Sequence, residues 1–228
     1  MNIQHLTLDC RFIEAQKLFY SKVLGFELLE EILLKFSVQI GSSRLTFKKS
    51  LEAKPYHFAF NIPFNQIDEA KYWLKERARL IPYEEKEVVD FFAWNAEAMY
   101  FKDKDHNIVE FIGRRNLNQK ATKAFDVHSI SCISEIGIPS KEISSIYKEL
   151  EKCNLPIYDG SMDRFCAIGD ENGLFICIDN EKKTEWFPTD IYPEIISFTL
   201  DFENDGVDYH LNCLDGNLDI KKTGKTVN

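Results

Sequence analysis

A repeated order of predicted secondary-structure elements constrains the fold of this chain more than any other feature of its sequence. The first unit opens with IQHLTLDC, whose alternating residues predict a strand with two different faces. FIEAQKLFYSKVLGF then has residues at helical spacing, and Gly25 is expected to end the helix. Three strand-like runs follow, FELLEE, LKFSVQI and RLTFKKS, and GSS predicts a hairpin between the last two. The predicted order is one strand, one helix and three strands.

The same βαβββ order begins again near residue 56. YHFAFNIP alternates as the first strand does, and Asn65 is expected to cap a helix whose residues from Ile67 to Arg77 follow helical spacing. EEKEVVDFF, EAMYFKD and NIVEFIG predict the three remaining strands. Two such modules, residues 1–52 and 53–115, are therefore expected to form one domain that carries the candidate site.

A third unit begins near residue 127 and a degenerate fourth unit near residue 190. HSISCISEIGIPS predicts a strand, SKEISSIYKELEKC an amphipathic helix capped by Ser140, and FCAIGDENGLFICID a hairpin. Beyond residue 190 the sequence predicts short strands and no helix. The polar, aperiodic RRNLNQKATKAF is the expected domain boundary, so the second domain should span residues 124–228.

Composition argues against several classes of function. The chain has 228 residues, of which 44% are hydrophobic, and can bury a large core. Its net charge of -9 and the lack of a basic stripe argue against a nucleic-acid partner. Without a secretory leader or a stretch as long as a membrane span, we expect a cytoplasmic protein with no membrane partner. The scattered cysteines show no CxxC spacing and are expected to be reduced thiols.

Three polar residues interrupt apolar strands and define the candidate site. In the first two modules the helix should cover the apolar face of the opening strand, which leaves His5 and His57 on the opposite, concave face. Glu110 falls on that face of NIVEFIG, where its charge would need compensation. Two imidazoles and one carboxylate in one cup would form a ligand set for a divalent metal with open coordination positions. The alternative is that each is an ordinary half-buried strand residue.

Two segments resemble a known family. FYSKVLGFEL after the opening strand histidine, and YFKDKDHNIVE at the end of the second module, resemble signatures of the vicinal-oxygen-chelate superfamily. Glyoxalase I, bleomycin-resistance proteins, fosfomycin-resistance transferases and extradiol dioxygenases belong to this superfamily. The resemblance is clear over residues 1–115 and faint beyond. It implies an α+β fold in which paired βαβββ modules form cup-shaped mixed sheets, with two fused glyoxalase-like domains of which the second is degenerate.

The resemblance also implies roles for individual residues. It places metal ligands on the first and last strands of the modules, which by position are His5, His57 and Glu110. The fourth family position falls near Thr46, a poor metal ligand, so three protein ligands are expected. Tyr100 stands where the dioxygenases and the fosfomycin enzymes have a tyrosine that contacts the substrate. Its alternative role is that of a packing aromatic in a strand.

Other positions depart from the family pattern. His106 lies in the turn where the family commonly has Asp-Pro-Asp-Gly, and is expected to have no chemical role. The further histidines that extradiol dioxygenases use as acid–base groups have no counterpart here. In the second domain, Ile133 and Ile176 are expected at the positions of His57 and Glu110, so this domain should hold no metal ligands. Strand packing is the expected role of His128, His210 and Cys213.

The sequence leads to one functional hypothesis with two alternatives. The hypothesis is a metal-dependent enzyme of this superfamily with lyase, isomerase or transferase chemistry, in which the ion chelates two neighbouring oxygens of a small-molecule substrate and acts as a Lewis acid. The alternatives are an extradiol dioxygenase with Fe(II) and a metal-free binding protein of the bleomycin-resistance type. The divalent ion is expected to be Fe, Mn, Zn or Ni, and the protein a monomer or a homodimer.

Overall fold

The computed structural model describes residues 1–225, in which strands and helices follow the predicted modular order. The strands are β1 (Asn2–Cys10), β2 (Leu28–Ile32), β3 (Lys35–Ile40), β4 (Ser43–Lys49), β5 (His57–Asn61), β6 (Leu80–Ile81), β7 (Val89–Phe91), β8 (Ala96–Lys102), β9 (Ile108–Arg114), β10 (Cys132–Ser140), β11 (Ile157–Ser161), β12 (Phe165–Asp170), β13 (Gly173–Asp179), β14 (Phe198–Asn204), β15 (Val207–Leu214) and β16 (Asn217–Lys225). The α-helices are α1 (Ile13–Leu18), which a π-helical turn at Phe19–Val23 extends, α2 (Ile67–Lys75) and α3 (Ile143–Glu151). Short 3₁₀ turns lie at Phe64–Gln66, Phe92–Trp94, Arg115–Leu117 and Val127–Ser129. Among the helices of the described residues, none has the length and apolar character needed to cross a membrane.

The described strands form two sheets that mix parallel and antiparallel pairs. The first has seven strands in the order β16-β15-β14-β1-β4-β3-β2. The second has the order β11-β12-β13-β10-β5-β9-β8-β6, with β7 paired to β8. In each complete module the first strand lies parallel to the last, as β1 does with β4 and β5 with β9, and the helix is part of the crossover that parallel pairing requires. The predicted α+β fold with two mixed sheets and few helices is confirmed.

The modules pair differently from the expectation that neighbours along the chain share a cup. β1 of the first module pairs antiparallel with β14 of the fourth, whereas β5 of the second pairs antiparallel with β10 of the third. Each sheet therefore contains strands from both predicted segments, 1–115 and 124–228, and the expected pairing of modules one and two is wrong. The alternation within a strand indicates which face is buried, but it does not specify which other module completes the sheet.

The helices cover the apolar faces of the sheets, as the alternation predicted. Leu6 and Leu8 of β1, and Phe58 and Phe60 of β5, are fully buried. They belong to one contiguous hydrophobic cluster that also includes residues of the three α-helices. A second cluster contains Ala59, which points to the opposite face of β5. This second cluster surrounds the candidate site described below.

The predicted helix ends are confirmed in part. Gly25 has a φ of 84°, a left-handed conformation that favours glycine after a helix. The third helix has Glu142 as its N-cap, so the expected cap at Ser140 is wrong, because Ser140 is the last residue of β10. Asn65 does not cap α2 either, because its side-chain amide bonds to the backbone of Ala121. Both errors are local shifts at the ends of correctly predicted elements.

A buried carboxylate, Asp103, connects the first module to the second. It lies in the turn between β8 and β9 and accepts side-chain hydrogen bonds from Gln16 (2.5 Å), Tyr20 (3.0 Å) and Asn107 (2.8 Å). Gln16 and Tyr20 belong to α1 and its π-helical extension, so the carboxylate couples that helix to the nine-stranded sheet. Burial raises the pKa of Asp103 to about 6, and the hydrogen bonds act against this shift because they stabilise the ionised form.

We expect Asp103→Ala to lower the free energy of unfolding by about 3 kcal/mol, because buried donors would lose a charged acceptor. Urea unfolding at pH 7 measures this loss. Asp219→Ala is the control, since Asp219 is exposed and pairs with the exposed Lys221. The control should change stability by less than about 0.5 kcal/mol. Equal effects of the two substitutions would contradict the connecting role of Asp103.

Candidate metal centre

The pairing of β5 with its two neighbours places one histidine and two carboxylates on the same face of the nine-stranded sheet. Ala59 of β5 stands opposite both Glu110 of β9 and Glu135 of β10. Because opposed residues on neighbouring strands share a face, the two carboxylates flank Ala59. His57 precedes Ala59 by two residues and therefore lies on the same face. Ala59 has only a methyl group, so the three longer side chains can converge beside it.

A β-bulge in β10 brings Glu135 onto this face. The register shifts between Ile133 and Glu135, with Ser134 as the extra residue. Ile133 therefore faces the helix-covered side, and the expectation that it takes the position of the ligand histidine is wrong. The expectation that the second half contributes no residue to the candidate centre is also wrong. Glu135 could have been found by the argument applied to Glu110, because CISEIGIPS is another apolar strand with one carboxylate.

The three side chains are close enough to share one ion. Nε2 of His57 lies 3.6 Å from Oε2 of Glu110 and 4.0 Å from Oε2 of Glu135. One ligand atom from each residue lies within 4.8 Å of the other two. All three residues are buried, with 6% of His57, 3% of Glu110 and 2% of Glu135 exposed. Two ligands bound at about 2.1 Å to one ion lie roughly 3 to 4 Å apart, so the distances from His57 to the two carboxylates fit a shared metal.

A hydrogen bond orients the ring of His57 toward the carboxylates. Its Nδ1 atom lies 3.2 Å from the backbone carbonyl oxygen of Ile108. A proton on Nδ1 is donated to this carbonyl, which leaves the lone pair of Nε2 facing the two carboxylates. Metal-bound histidines are held in the same way by their second ring nitrogen. Burial lowers the pKa of His57 to about 4, so the ring is neutral near pH 7 and has a lone pair for a ligand bond.

Two buried carboxylates lie together with one cation beside them. Nη2 of Arg114 donates to Oε1 of Glu135. Nε of Arg114 donates to Oδ1 of Asn61 at 3.3 Å. Arg114 is almost fully buried. Burial, and then the charge of Glu135, raise the pKa of Glu110, and burial raises the pKa of Glu135. One guanidinium does not balance two buried carboxylates, so a proton or a metal ion must supply the remaining positive charge.

The donor set fits a divalent metal ion. Arg114 occupies Oε1 of Glu135, which leaves Oε2 of that residue facing His57. One neutral nitrogen and two carboxylate oxygens would hold the ion, and the charges of the ion and the two carboxylates would cancel. Three protein ligands leave coordination positions open, as in catalytic rather than structural metal sites.

Tyr100 lies beside this centre. It stands opposite Glu110 in the antiparallel pairing of β8 with β9, which places the two side chains on the same face of the sheet. Burial and the charges of Glu110 and Glu135 raise the pKa of Tyr100, so the hydroxyl stays protonated and acts as a donor. The structure therefore brings Tyr100 to the centre, while its contact with a substrate stays a prediction.

The centre lies in the wall of a cavity of about 460 Å³, within the usual range for small-molecule sites. The cavity is lined by the aromatic residues Phe91, Phe92, Trp94, Tyr100, Phe165, Trp186 and Phe187. Trp186 belongs to the segment 180–197, which connects β13 to β14, and its ring centroid lies 5.2 Å from that of His57. A Cβ atom on Gly137 would lie 2.5 Å from the Trp186 ring, so glycine is required at this point of β10.

His5 lies in the seven-stranded sheet, apart from this centre. Its Nε2 atom is 2.7 Å from Oγ1 of Thr46, and its Nδ1 atom is 3.5 Å from Oδ2 of Asp201. The other carboxylate oxygen of Asp201 is 2.6 Å from Nδ1 of His210. Both ring nitrogens of His5 therefore have partners within the protein. The expectation that His5 and His57 converge in one cup is wrong, because β1 and β5 belong to different sheets.

The remaining residues of the sequence prediction lie outside the ligand set. His106 has a φ of 64° in the turn before β9, as expected of a turn residue. Ile176 lines the cavity and supplies no ligand atom. His128 lies in a 3₁₀ turn capped by Asp126, so its expected place in a strand is wrong. Cys213 is buried in β15, and the six cysteines are unpaired within the described residues.

Comparison with known proteins finds solved structures with a similar fold. No protein-family model and no curated protein matches the sequence. A solved structure from Bacillus subtilis, described as a candidate dioxygenase, matches with a TM-score of 0.64 and 11% identity over 98% of this chain and 85% of its own. A glyoxalase family protein from Enterococcus faecalis matches with a TM-score of 0.41 and 25% identity over 49% of this chain and 96% of its own. A lactoylglutathione lyase from Agrobacterium tumefaciens matches with a TM-score of 0.42 and 18% identity over 49% of this chain and 92% of its own.

The match over nearly the whole chain shows the fold. The chain therefore has the fold of the vicinal-oxygen-chelate superfamily, as the sequence resemblance implied. Within it, modules one and four share one sheet and modules two and three share the other.

Removing the buried guanidinium should leave the carboxylates without a protein counter-charge. We expect Arg114→Met to lower the free energy of unfolding of chelator-treated protein by about 3 to 5 kcal/mol at pH 7. Arg115→Met is the matched control, because Arg115 is exposed and pairs with the half-buried Glu97 of β8. The control should lose less than about 1 kcal/mol. A loss no larger than that of the control would mean that Glu135 is protonated and needs no partner.

Proposed function

We propose that the protein is a metal-dependent enzyme of the vicinal-oxygen-chelate type that acts on a small molecule. The observation that carries this proposal is the convergence of His57, Glu110 and Glu135 in the wall of a cavity, with unsatisfied negative charge. These residues would hold a divalent ion, and two neighbouring oxygens of the substrate would take its open positions. When bound, the ion would act as a Lewis acid and stabilise negative charge on a substrate oxygen.

Residues of the chain itself would prepare the substrate and the ligands. Arg114 holds one oxygen of Glu135 and thereby orients the other toward the centre. Tyr100 keeps a proton beside Glu110, where it can donate to a carboxylate or to a substrate oxygen. The aromatic lining gives the cavity a largely apolar wall, beside which charges interact more strongly than in water. Together they support chemistry in which negative charge develops on the substrate.

The donor set bears on the alternative of an extradiol dioxygenase. Non-haem Fe(II) oxygenases typically use two histidines and one carboxylate. This centre has one histidine and two carboxylates, and His5 is not available as the second imidazole. We therefore place Lewis-acid chemistry ahead of ring cleavage with oxygen. Carboxylates favour hard ions such as Mn²⁺, while an imidazole also suits Fe²⁺, Zn²⁺ and Ni²⁺.

Metal content is the direct test. We expect tag-free wild-type protein to contain close to one equivalent of Mn, Fe, Zn or Ni by elemental mass spectrometry, and Glu135→Gln and His57→Ala to contain little, because each loses one of three ligands. His5→Ala is the control that should keep its metal, since His5 lies in the other sheet. A wild type that stays empty after loading with each ion would exclude the enzyme and favour a metal-free binding protein.

Tyr100 should affect metal affinity through Glu110. We expect Tyr100→Phe to bind metal about tenfold more weakly, because it loses the hydroxyl group that lies on the same face as the Glu110 carboxylate and can donate to it. Competition with a chromophoric chelator measures this affinity. Tyr158→Phe is the matched control, because the hydroxyl of Tyr158 bonds to a carboxylate, that of Glu171, at 2.8 Å and outside the centre. Equal affinities of the two variants would contradict the orienting role of Tyr100.

A further inference from the structure

One cation in the cavity has no carboxylate partner. Lys183 lies in the segment 180–197, lines the cavity and is half-buried. Its Nζ atom donates to the backbone carbonyl of Glu185 at 3.2 Å, and within residues 1–225 it forms no ion pair. The neighbouring Lys182, in contrast, is exposed and pairs with Asp163 at 2.7 Å and with Asp179 at 3.3 Å. A half-buried ammonium group without a counter-ion favours an anionic group in the space it faces.

Lys183 and the candidate centre face the same cavity. Lys183 lines the same cavity as His57, Glu110 and Glu135. Burial, and then the nearby Arg164, lower the pKa of Lys183 itself. A ligand that occupies the cavity can therefore meet the ion with one end and Lys183 with another.

The other charges around the cavity do not neutralise Lys183. Asp90 and Asp159 also line the cavity, but both are exposed to solvent, and Asp159 accepts a hydrogen bond from Nε1 of Trp94 at 2.7 Å. Solvent screens such exposed charges much more than a half-buried one. Glu185, two residues further along the chain, is exposed. It offers Lys183 its backbone carbonyl, and the effect of its charge on Lys183 is smaller than that of burial and of Arg164.

The space between these charges is bounded by aromatic rings. Phe187 meets Tyr100 edge to face at 5.6 Å and Phe91 at 5.9 Å. Trp94 lies 6.4 Å from Phe165. Such walls favour a planar ring, which can stack or make edge contacts with each of them. Trp186 adds a buried indole N–H that has no acceptor within the described residues.

We infer that the cavity takes a planar aromatic anion, whose neighbouring oxygens bind at the candidate centre and whose separate ionised group pairs with Lys183. This inference rests on the proposed function for the oxygen end of the ligand. Its new content is the role of Lys183 as the residue that selects a ligand with a separate ionised group. A cationic aromatic ligand is disfavoured, because Lys183, Arg114 and the bound ion would all repel it.

Two probes that differ by one carboxylate test the inference. Protein loaded with Mn²⁺ is titrated calorimetrically, without oxygen, with 3,4-dihydroxybenzoate and with catechol. Because the carboxylate also changes the acidity of the hydroxyl groups, the measured quantity is the change in the ratio of the two dissociation constants between protein variants. We expect Lys183→Met to weaken binding of 3,4-dihydroxybenzoate about tenfold more than binding of catechol. Lys183→Arg should keep most of the wild-type ratio, since it keeps the charge.

Lys182→Met is the matched control and should leave the ratio within about twofold, because its charge is exposed and already paired. An unchanged ratio in Lys183→Met would overturn the inference. So would the failure of wild-type protein to bind either probe, or an equal change in Lys182→Met and Lys183→Met. Metal content, measured on the same preparations, reports separately on the proposed function: metal-loaded protein that binds catechol with no dependence on Lys183 refutes the inference alone.

Discussion

The antiparallel pairing of β5 with β10 is the constraint on which the candidate site depends. It sets a strand of the third module beside a strand of the second, so that Glu135 meets His57 and Glu110 around Ala59. With any other pairing of modules, the carboxylate of Glu135 would lie in a different sheet. The same arrangement makes the segment 180–197 run from one sheet to the other, and this segment carries Trp186 and its neighbours to the cavity.

The charges buried at the candidate centre indicate what chemistry this architecture can support. Two carboxylates and a guanidinium are buried together, although burial of unbalanced charge is costly. Two carboxylates and one guanidinium buried together add little stability unless a bound ligand balances their charge. The excess of negative charge is therefore better explained by function than by folding. A divalent ion would balance the two carboxylates of the centre, and an anionic ligand would balance the charge of Lys183. The aromatic lining supplies the apolar surface that a small ligand needs for binding.

Much of the fold could be predicted from the sequence because it depends on local periodicity. The alternation in YHFAFNIP and NIVEFIG correctly placed His57 and Glu110 on the face that the helices do not cover. The family resemblance singled out Tyr100, and the structure sets it opposite Glu110 on the neighbouring strand, while its role stays a prediction. Glu135 was missed because an alignment on a neighbouring proline carried no information about the bulge at Ser134. A one-residue bulge reverses the faces of the residues that follow it.

The sequence by itself determined the order of elements, the buried face of each strand and the presence of carboxylates in apolar strands. Those properties depend on residues that are near one another in the chain. Only the tertiary structure decided that His5 belongs to one sheet and His57 to the other, and that Glu135 joins the centre. The reason is physical. Modules with the same order of elements have similar apolar faces, and the first strand of each has an edge that can pair with another module. The alternation of residues is therefore compatible with several pairings of modules. The choice among them depends on packing between distant segments, which no local pattern encodes.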